Sequence, residues 1–118
     1  MNNRTFEIEI SFRDKKSQSV CSEESECRRQ WGEKCRVLQR RIAALLAAET
    51  LADMSEVPGH CHALTGNRDG QYALHLWGAY RLVFELDHSP VPSKPDGGVD
   101  IRQVTKVIIL EIVDYHGD

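Results

Sequence analysis

The stretch that decides the fold is QVTKVIILEIVDYH, residues Gln103 to His116. Side chains alternate between the two faces of a strand. From Val107 to Val113 apolar residues occupy both phases, with Glu111 the one interruption. A strand apolar on both faces is covered on both sides, which places it inside its sheet rather than at an edge. The run leads directly into Asp114, Tyr115 and His116, three side chains able to hydrogen-bond or exchange protons. If the strand is central, that triplet is presented at one rim of a rigid sheet.

Working outward, residues 88–100, HSPVPSKPDGGVD, hold three of the four prolines and read as a long exposed loop. Before it lie two strands with clean alternation. YRLVFEL places Tyr80, Leu82, Phe84 and Leu86 on one face, and QYALHLW does the same with Tyr72, Leu74 and Leu76. Gly78 turns the chain between them, and GNRDG (Gly66 to Gly70) is a turn rich in residues that tolerate left-handed backbone. HCHALT supplies a further short strand.

The first half differs. TFEIEISF alternates Phe6, Ile8 and Ile10 with Glu7 and Glu9, a half-buried strand. Residues Ser17 to Trp31 carry a weak polar helical pattern that Gly32 punctuates. A stronger helix is expected from Glu33 to Ala52, with Leu38, Ile42, Leu45 and Leu46 on its buried stripe. Pro58 and Gly59 end the helical half. One strand, two helices and four strands make an α+β chain: an antiparallel-rich sheet with helices packed on one face. The length of 118 residues fits one domain, 1–118, with one core.

Composition narrows the function classes. A formal net charge of −3 argues against a strongly basic nucleic-acid binder, whose affinity rests on counterion release. Local basic clusters remain, at Arg28 and Arg29 and at Arg36, Arg40 and Arg41. A solvated helix face and a binding patch are both open readings of these. No stretch has the length of a membrane span, and the N-terminus lacks a signal layout, so a cytoplasmic location with no membrane partner is expected. The spacings of Cys21, Cys27, Cys35 and Cys61 match no zinc pattern, and in that compartment free thiols are expected.

The residues that carry chemistry are His62, Arg68, Arg81, Asp114, Tyr115 and His116. Metal-free RNA cleavage needs a base for the ribose 2′-hydroxyl, an acid for the leaving 5′ oxygen, and cations at the phosphate. Histidine suits both proton transfers. These groups could equally be scattered surface residues. His60 and His62 fall on one strand face and could bind a metal, yet no third ligand stands at a supporting spacing, so no metal or cofactor is expected. Of the aromatic residues, Tyr72, Tyr80 and Phe84 fit the core phase, and Trp77 falls out of it.

The stretch HALTGNRDGQYALHLWGAYRLVFEL, followed by a strand ending EIVDYH, resembles the RelE/ParE superfamily of toxins, and the HigB branch most closely. The resemblance rests on His62, Leu64, Gly66, Arg68 and Gly70, then Tyr80, Arg81 and Phe84, then Asp114, Tyr115 and His116. It covers Gly59 to His116, and the helical half agrees in layout. It implies a RelE-like fold and a ribosome-dependent messenger-RNA endonuclease of a type II toxin–antitoxin system. It further implies His62, Asp114, Tyr115 and His116 as catalytic residues, arginines at the phosphate, no cofactor, and three partners: ribosome, mRNA and a helix-turn-helix (HigA-like) antitoxin. A non-catalytic protein on the same fold, binding an antitoxin-like partner, is the alternative; a gyrase-directed toxin fits the terminal triplet less well.

Overall fold

The computed structural model describes residues 7–114. Tyr115 and His116 lie outside the described residues, so the terminal triplet is described only at Asp114, the last residue of strand β5.

Strand β1 (Glu9–Phe12) is followed by helices α1 (Lys15–Ser22), α2 (Glu24–Trp31) and α3 (Cys35–Ala47), then by strands β2 (His62–Ala63), β3 (Gln71–His75), β4 (Tyr80–Leu86) and β5 (Lys106–Asp114). They form one mixed sheet in the order β1-β5-β4-β3-β2. β1 runs parallel to β5, and the other neighbours are antiparallel. β5 is therefore interior, as its two apolar faces require.

Three helices stand where two were expected, because the first helical segment breaks at Glu23. That residue is extended (φ −115°, ψ 118°) and caps α1 and α2 at once. Asp14 starts α1 by accepting a hydrogen bond from the Ser17 amide at 2.9 Å. The break gives α2 a new direction, which brings Cys27 into the core at 1% exposure. α3 also ends earlier than its alanine-rich sequence suggests. At Ala48 the backbone turns extended, and its carbonyl accepts from the Ile8 amide at 2.8 Å. Leu51 then donates to the Val104 carbonyl at 3.0 Å. Tertiary pairing thus captures residues that propensity alone would keep helical. The buried stripe of α3 is Cys35, Leu38, Ile42 and Leu45, and Leu46 is exposed.

The expectation of free thiols at Cys27 and Cys35 is corrected as well. The two sulfurs are bonded, with Cα atoms 5.5 Å apart, joining α2 to the start of α3. Both side chains are buried side by side, a proximity that sequence spacing does not reveal.

All three helices cover one face of the sheet. There Leu38, Ile42 and Leu45 meet Leu74, Leu82, Phe84, Val107 and Ile109. The opposite face, called the open face below, carries a smaller cluster of Leu64, Ala73, Val83 and Leu110. A β-bulge in the β4–β5 ladder changes which residues join which face. Phe84 pairs with Ile109, but Val83 pairs with Glu111, so Leu110 is the extra residue. Without the bulge, Glu111 and Val113 would share the helix-covered face with Val107 and Ile109. With it they move to the open face, and Ile112 packs against the helix side.

Candidate functional site

Directly paired residues on neighbouring strands point to the same face. His62 pairs with Ala73, Ala73 with Val83, and Val83 with Glu111, giving one row across the open face. The next row toward the end of β5 contains His75, Arg81 and Val113. The sheet therefore brings His62 and Arg81 to one face, near the end at which β5 leads into the terminal residues. It adds His75, which sequence reasoning did not place in this site. The signal was present: His75 lies in phase with Ala73 and opposite in phase to Leu74 and Leu76.

His62 is half-buried, and its ring stacks obliquely on that of His60, with centroids 4.7 Å apart. Its Nδ1 lies 2.8 Å from the His60 carbonyl. His60 has φ +48°. For a residue with a side chain that left-handed conformation costs about 1–2 kcal/mol, and such outliers cluster at functional sites. Gly59 before it has φ +123° and leaves little room for a side chain. A Cβ there would lie 3.1 Å from Cδ and Nε of Arg41 and 3.2 Å from Cδ2 of Leu74. The Gly59 carbonyl accepts from the His75 amide at 2.7 Å, tying the segment to the end of β3.

Arg68 reaches from the turn before β3 to the open face. Its Nη1 donates to Gln71 Oε1 at 2.7 Å and its Nη2 to Glu111 Oε2 at 2.9 Å. His62 and Glu111 end the same row, separated by the strand spacings β2–β3–β4–β5, about 14 Å in total. Arg81 folds back on the β3–β4 turn, its Nη1 donating to the carbonyls of Gly78 and Tyr80 at 3.2 and 3.1 Å. The Gly78 carbonyl also accepts from His75 Nε2 at 3.0 Å.

The remaining predicted residues are placed elsewhere. Asp114 pairs with Tyr80 and so falls in the helix-side phase, not that of His62. Beside it Trp31 meets Trp77 and Tyr80 edge to face, centroids 5.2 Å apart in each pair, and Trp77 and Tyr80 are tilted on each other at 5.8 Å. Trp77 thus packs in the boundary between α2 and the sheet. Arg36, Arg40 and Arg41 belong to α3, on the far side of the sheet from His62. Arg36 and Arg40 are exposed and line a shallow depression with Arg28, Glu33 and Lys34. Arg41 is used by the fold: its Nε donates to the His75 carbonyl at 2.8 Å.

Metal binding finds little support in the donor set. Among the described residues no three His, Cys, Asp or Glu side chains are grouped to hold an ion. Cys61, between the two histidines, has its thiol pushed up to about 11 by burial, and the protonated form is a poor ligand. Burial does the same to Cys21. No described helix is long and apolar enough to cross a membrane.

Neither a family model nor a curated protein matches the sequence. In fold, the chain is similar to a solved structure, a chain of the YoeB-YefM complex from Staphylococcus aureus, with a TM-score of 0.54 and 16% identity, over 92% of this chain and 97% of that one. The fold is RelE-like. At this identity the likeness concerns the fold alone; in this chain three helices stand against one face of the sheet and the other is left open.

Proposed function

We propose that the chain is the toxin of a type II toxin–antitoxin system, and that it cuts messenger RNA on the ribosome through the ribose 2′-hydroxyl, without a metal. The observation that carries this reading is the gathering of His62, His75 and Arg81 on the uncovered face, at the end where β5 runs into Asp114, Tyr115 and His116. In this reading His62, Tyr115 and His116 carry the reaction together with Asp114, which acts from the rim of the sheet because its phase is the helix side, and Arg81 and Arg68 meet the phosphate. The motif from His62 to His116 supports the HigB branch. The structural likeness to a chain of the YoeB-YefM complex supports binding of a protein partner, here a helix-turn-helix antitoxin. Arg36 and Arg40, exposed on α3, are assigned to that partner or to ribosomal RNA; Arg41 joins them only through its packing on α3.

The second reading is a RelE-fold protein that binds an antitoxin-like partner without catalysis. The bond from Arg68 to Glu111 favours it, since the carboxylate competes with a phosphate for the guanidinium.

Expression of the chain alone tests the proposal. Growth arrest with cleavage of translated mRNA, persisting in chelator, is the expected result. Replacing His116 by alanine should slow cleavage by roughly 10²–10⁴-fold. A folded His116→Ala protein as toxic as the parent would remove His116 from the reaction. A parent that neither arrests growth nor cuts mRNA would leave the non-catalytic reading.

A further inference from the structure

We propose that His60 is a positioning residue: its backbone carbonyl fixes neutral His62 as the tautomer protonated at Nδ1, which leaves Nε2 of His62 as the nitrogen that takes up a proton. This deepens the nuclease reading and rests on it for the catalytic part. The sequence leaves open whether His62 is base or acid; the geometry assigns Nε2 as the nitrogen that exchanges the proton, accepting it when the ring is neutral.

The argument starts from the 2.8 Å contact between His62 Nδ1 and the His60 carbonyl. A carbonyl oxygen has no proton to give, so the ring nitrogen must be the donor. In a neutral imidazole a proton on Nδ1 leaves the lone pair on Nε2. Nε2 has no hydrogen-bond partner among the described residues. A neutral His62 held this way can accept a proton at Nε2, and it has none to donate there. Free imidazole can exchange its tautomers; a fixed backbone acceptor selects one, as the partner of the second ring nitrogen does in many histidine sites.

The contact requires the carbonyl of a residue only two positions earlier to turn back toward the ring. A regular strand does not do this, because its carbonyls point sideways into the ladder. Between that carbonyl and the ring lie only the backbone angles of Cys61 and the torsions of His62, and these set the reversal. Three features hold His60 itself in place: Gly59 at φ +123°, the bond from the His75 amide to the Gly59 carbonyl, and the stacking of the His60 ring on His62. With RNA bound, Nε2 of His62 takes the 2′-hydroxyl proton as O2′ bonds to phosphorus. The bond from phosphorus to the 5′ oxygen breaks, and that oxygen takes up a proton from a second acid or from water. The products are a 2′,3′-cyclic phosphate and a 5′-hydroxyl, with no change of oxidation state.

The tautomer can be read without any activity, by two-bond nitrogen–proton correlation spectra of the full chain at a pH where imidazole is neutral. The His62 ring is assigned by its loss in His62→Asn. The expected pattern is a protonated Nδ1 and an unprotonated Nε2. A parent ring protonated at Nε2 overturns the proposal whether or not the protein cuts RNA. His60→Gly keeps the carbonyl and removes the stacked ring, so the tautomer should be unchanged; a changed tautomer would assign it to the ring and overturn the role of the carbonyl. Cys61→Gly frees the backbone angles that lie between the carbonyl and the His62 ring. It should give a mixture of tautomers and cleavage slower by about 10–100-fold, the range for hydrogen-bond partners of metal-bound histidines. An unchanged tautomer in folded Cys61→Gly overturns the role of the His60 carbonyl. Should Cys61→Gly not fold, the parent spectrum and His60→Gly decide. If the parent shows the expected tautomer yet cuts no RNA, the nuclease reading fails with the catalytic part, and the positioning of His62 by His60 stands.

Discussion

Arg68 and Glu111 are bonded at 2.9 Å across the open face of the sheet, although they are 43 residues apart in the chain. The bulge at Leu110 is what permits the bond, because it moves Glu111 to the side that Arg68 can reach. The pair ties the turn before β3 to β5 and, at the same time, neutralises a cation on the proposed RNA face.

Replacing Glu111 by glutamine should therefore separate the two roles. Both side chains are partly exposed, at 23% and 34%, so stability should change by less than about 1 kcal/mol in urea melts. Affinity for single-stranded RNA should rise, with a log–log salt slope steeper by about 0.7, the value of one added phosphate contact. An unchanged slope would show that Arg68 does not meet phosphate.

At the back of the His60 segment, Gly59→Ala should destabilise by about 1–3 kcal/mol, the usual cost of overpacking. The new Cβ would press on Arg41 and Leu74. In a double-mutant cycle Arg41→Ala should recover part of that loss, since the two sites touch. Additive losses would mean that strain at φ +123°, and not the contact, sets the cost.

His88 is half-buried, and its Nε2 accepts from the amides of Thr105 and Lys106 at 3.1 and 3.3 Å. It anchors the long loop where β5 begins. His88→Ala leaves both donors without that acceptor and should cost about 1–2 kcal/mol. Hydrogen exchange should quicken first at Thr105 and Lys106. Uniform acceleration over the whole sheet would argue instead for a global loss of stability.

Acid sensitivity should appear at Asp100. The hydrogen bond from the Gln103 side chain, with those from the Arg102 amide and guanidinium, holds this carboxyl below its ordinary value of 3.8, against a smaller opposing effect of burial. A folded-state value below the unfolded one means the stabilisation is fully present above about pH 3.8. It is lost as pH falls from there through the lower folded value. Asp100→Asn should remove this part of the acid limb, measured by melting temperature against pH. A limb of the same shape in the variant would point to Asp14, which the Ser17 amide lowers in the same direction.

Reduction of the Cys27–Cys35 bond should lower stability by about 2–3 kcal/mol, the loop-closure value for a sequence separation of 8. Urea melts with and without reductant measure it, with Cys27→Ser/Cys35→Ser as the reference. A reductant effect that persists in the double variant would assign it elsewhere.

What the sequence determined by itself are the features fixed by local periodicity and turn chemistry. Alternation placed Tyr72, Leu74, Leu82 and Phe84 on one face, and the doubly apolar run from Val107 put β5 inside the sheet. Gly66 and Gly70 marked a turn because left-handed backbone favours glycine. These signals are carried by neighbours in sequence, so no distant contact is needed to read them.

The tertiary structure alone decided what depends on partners far along the chain. The end of α3 is set by Ile8 and Val104, which capture residues 48–51 despite their helix propensity. The Cys27–Cys35 bond follows from the turn of the chain at Gly32, where α2 ends with φ +58° and the chain folds back into α3. The bulge at Leu110 assigns Glu111 to the open face and Asp114 to the other phase, and a one-residue offset in register reverses every side chain beyond it. His60 is the sharpest case. Its left-handed backbone is held by Gly59, His75 and the ring of His62, and nothing in the letters HCH states that a carbonyl there will choose the tautomer of its neighbour.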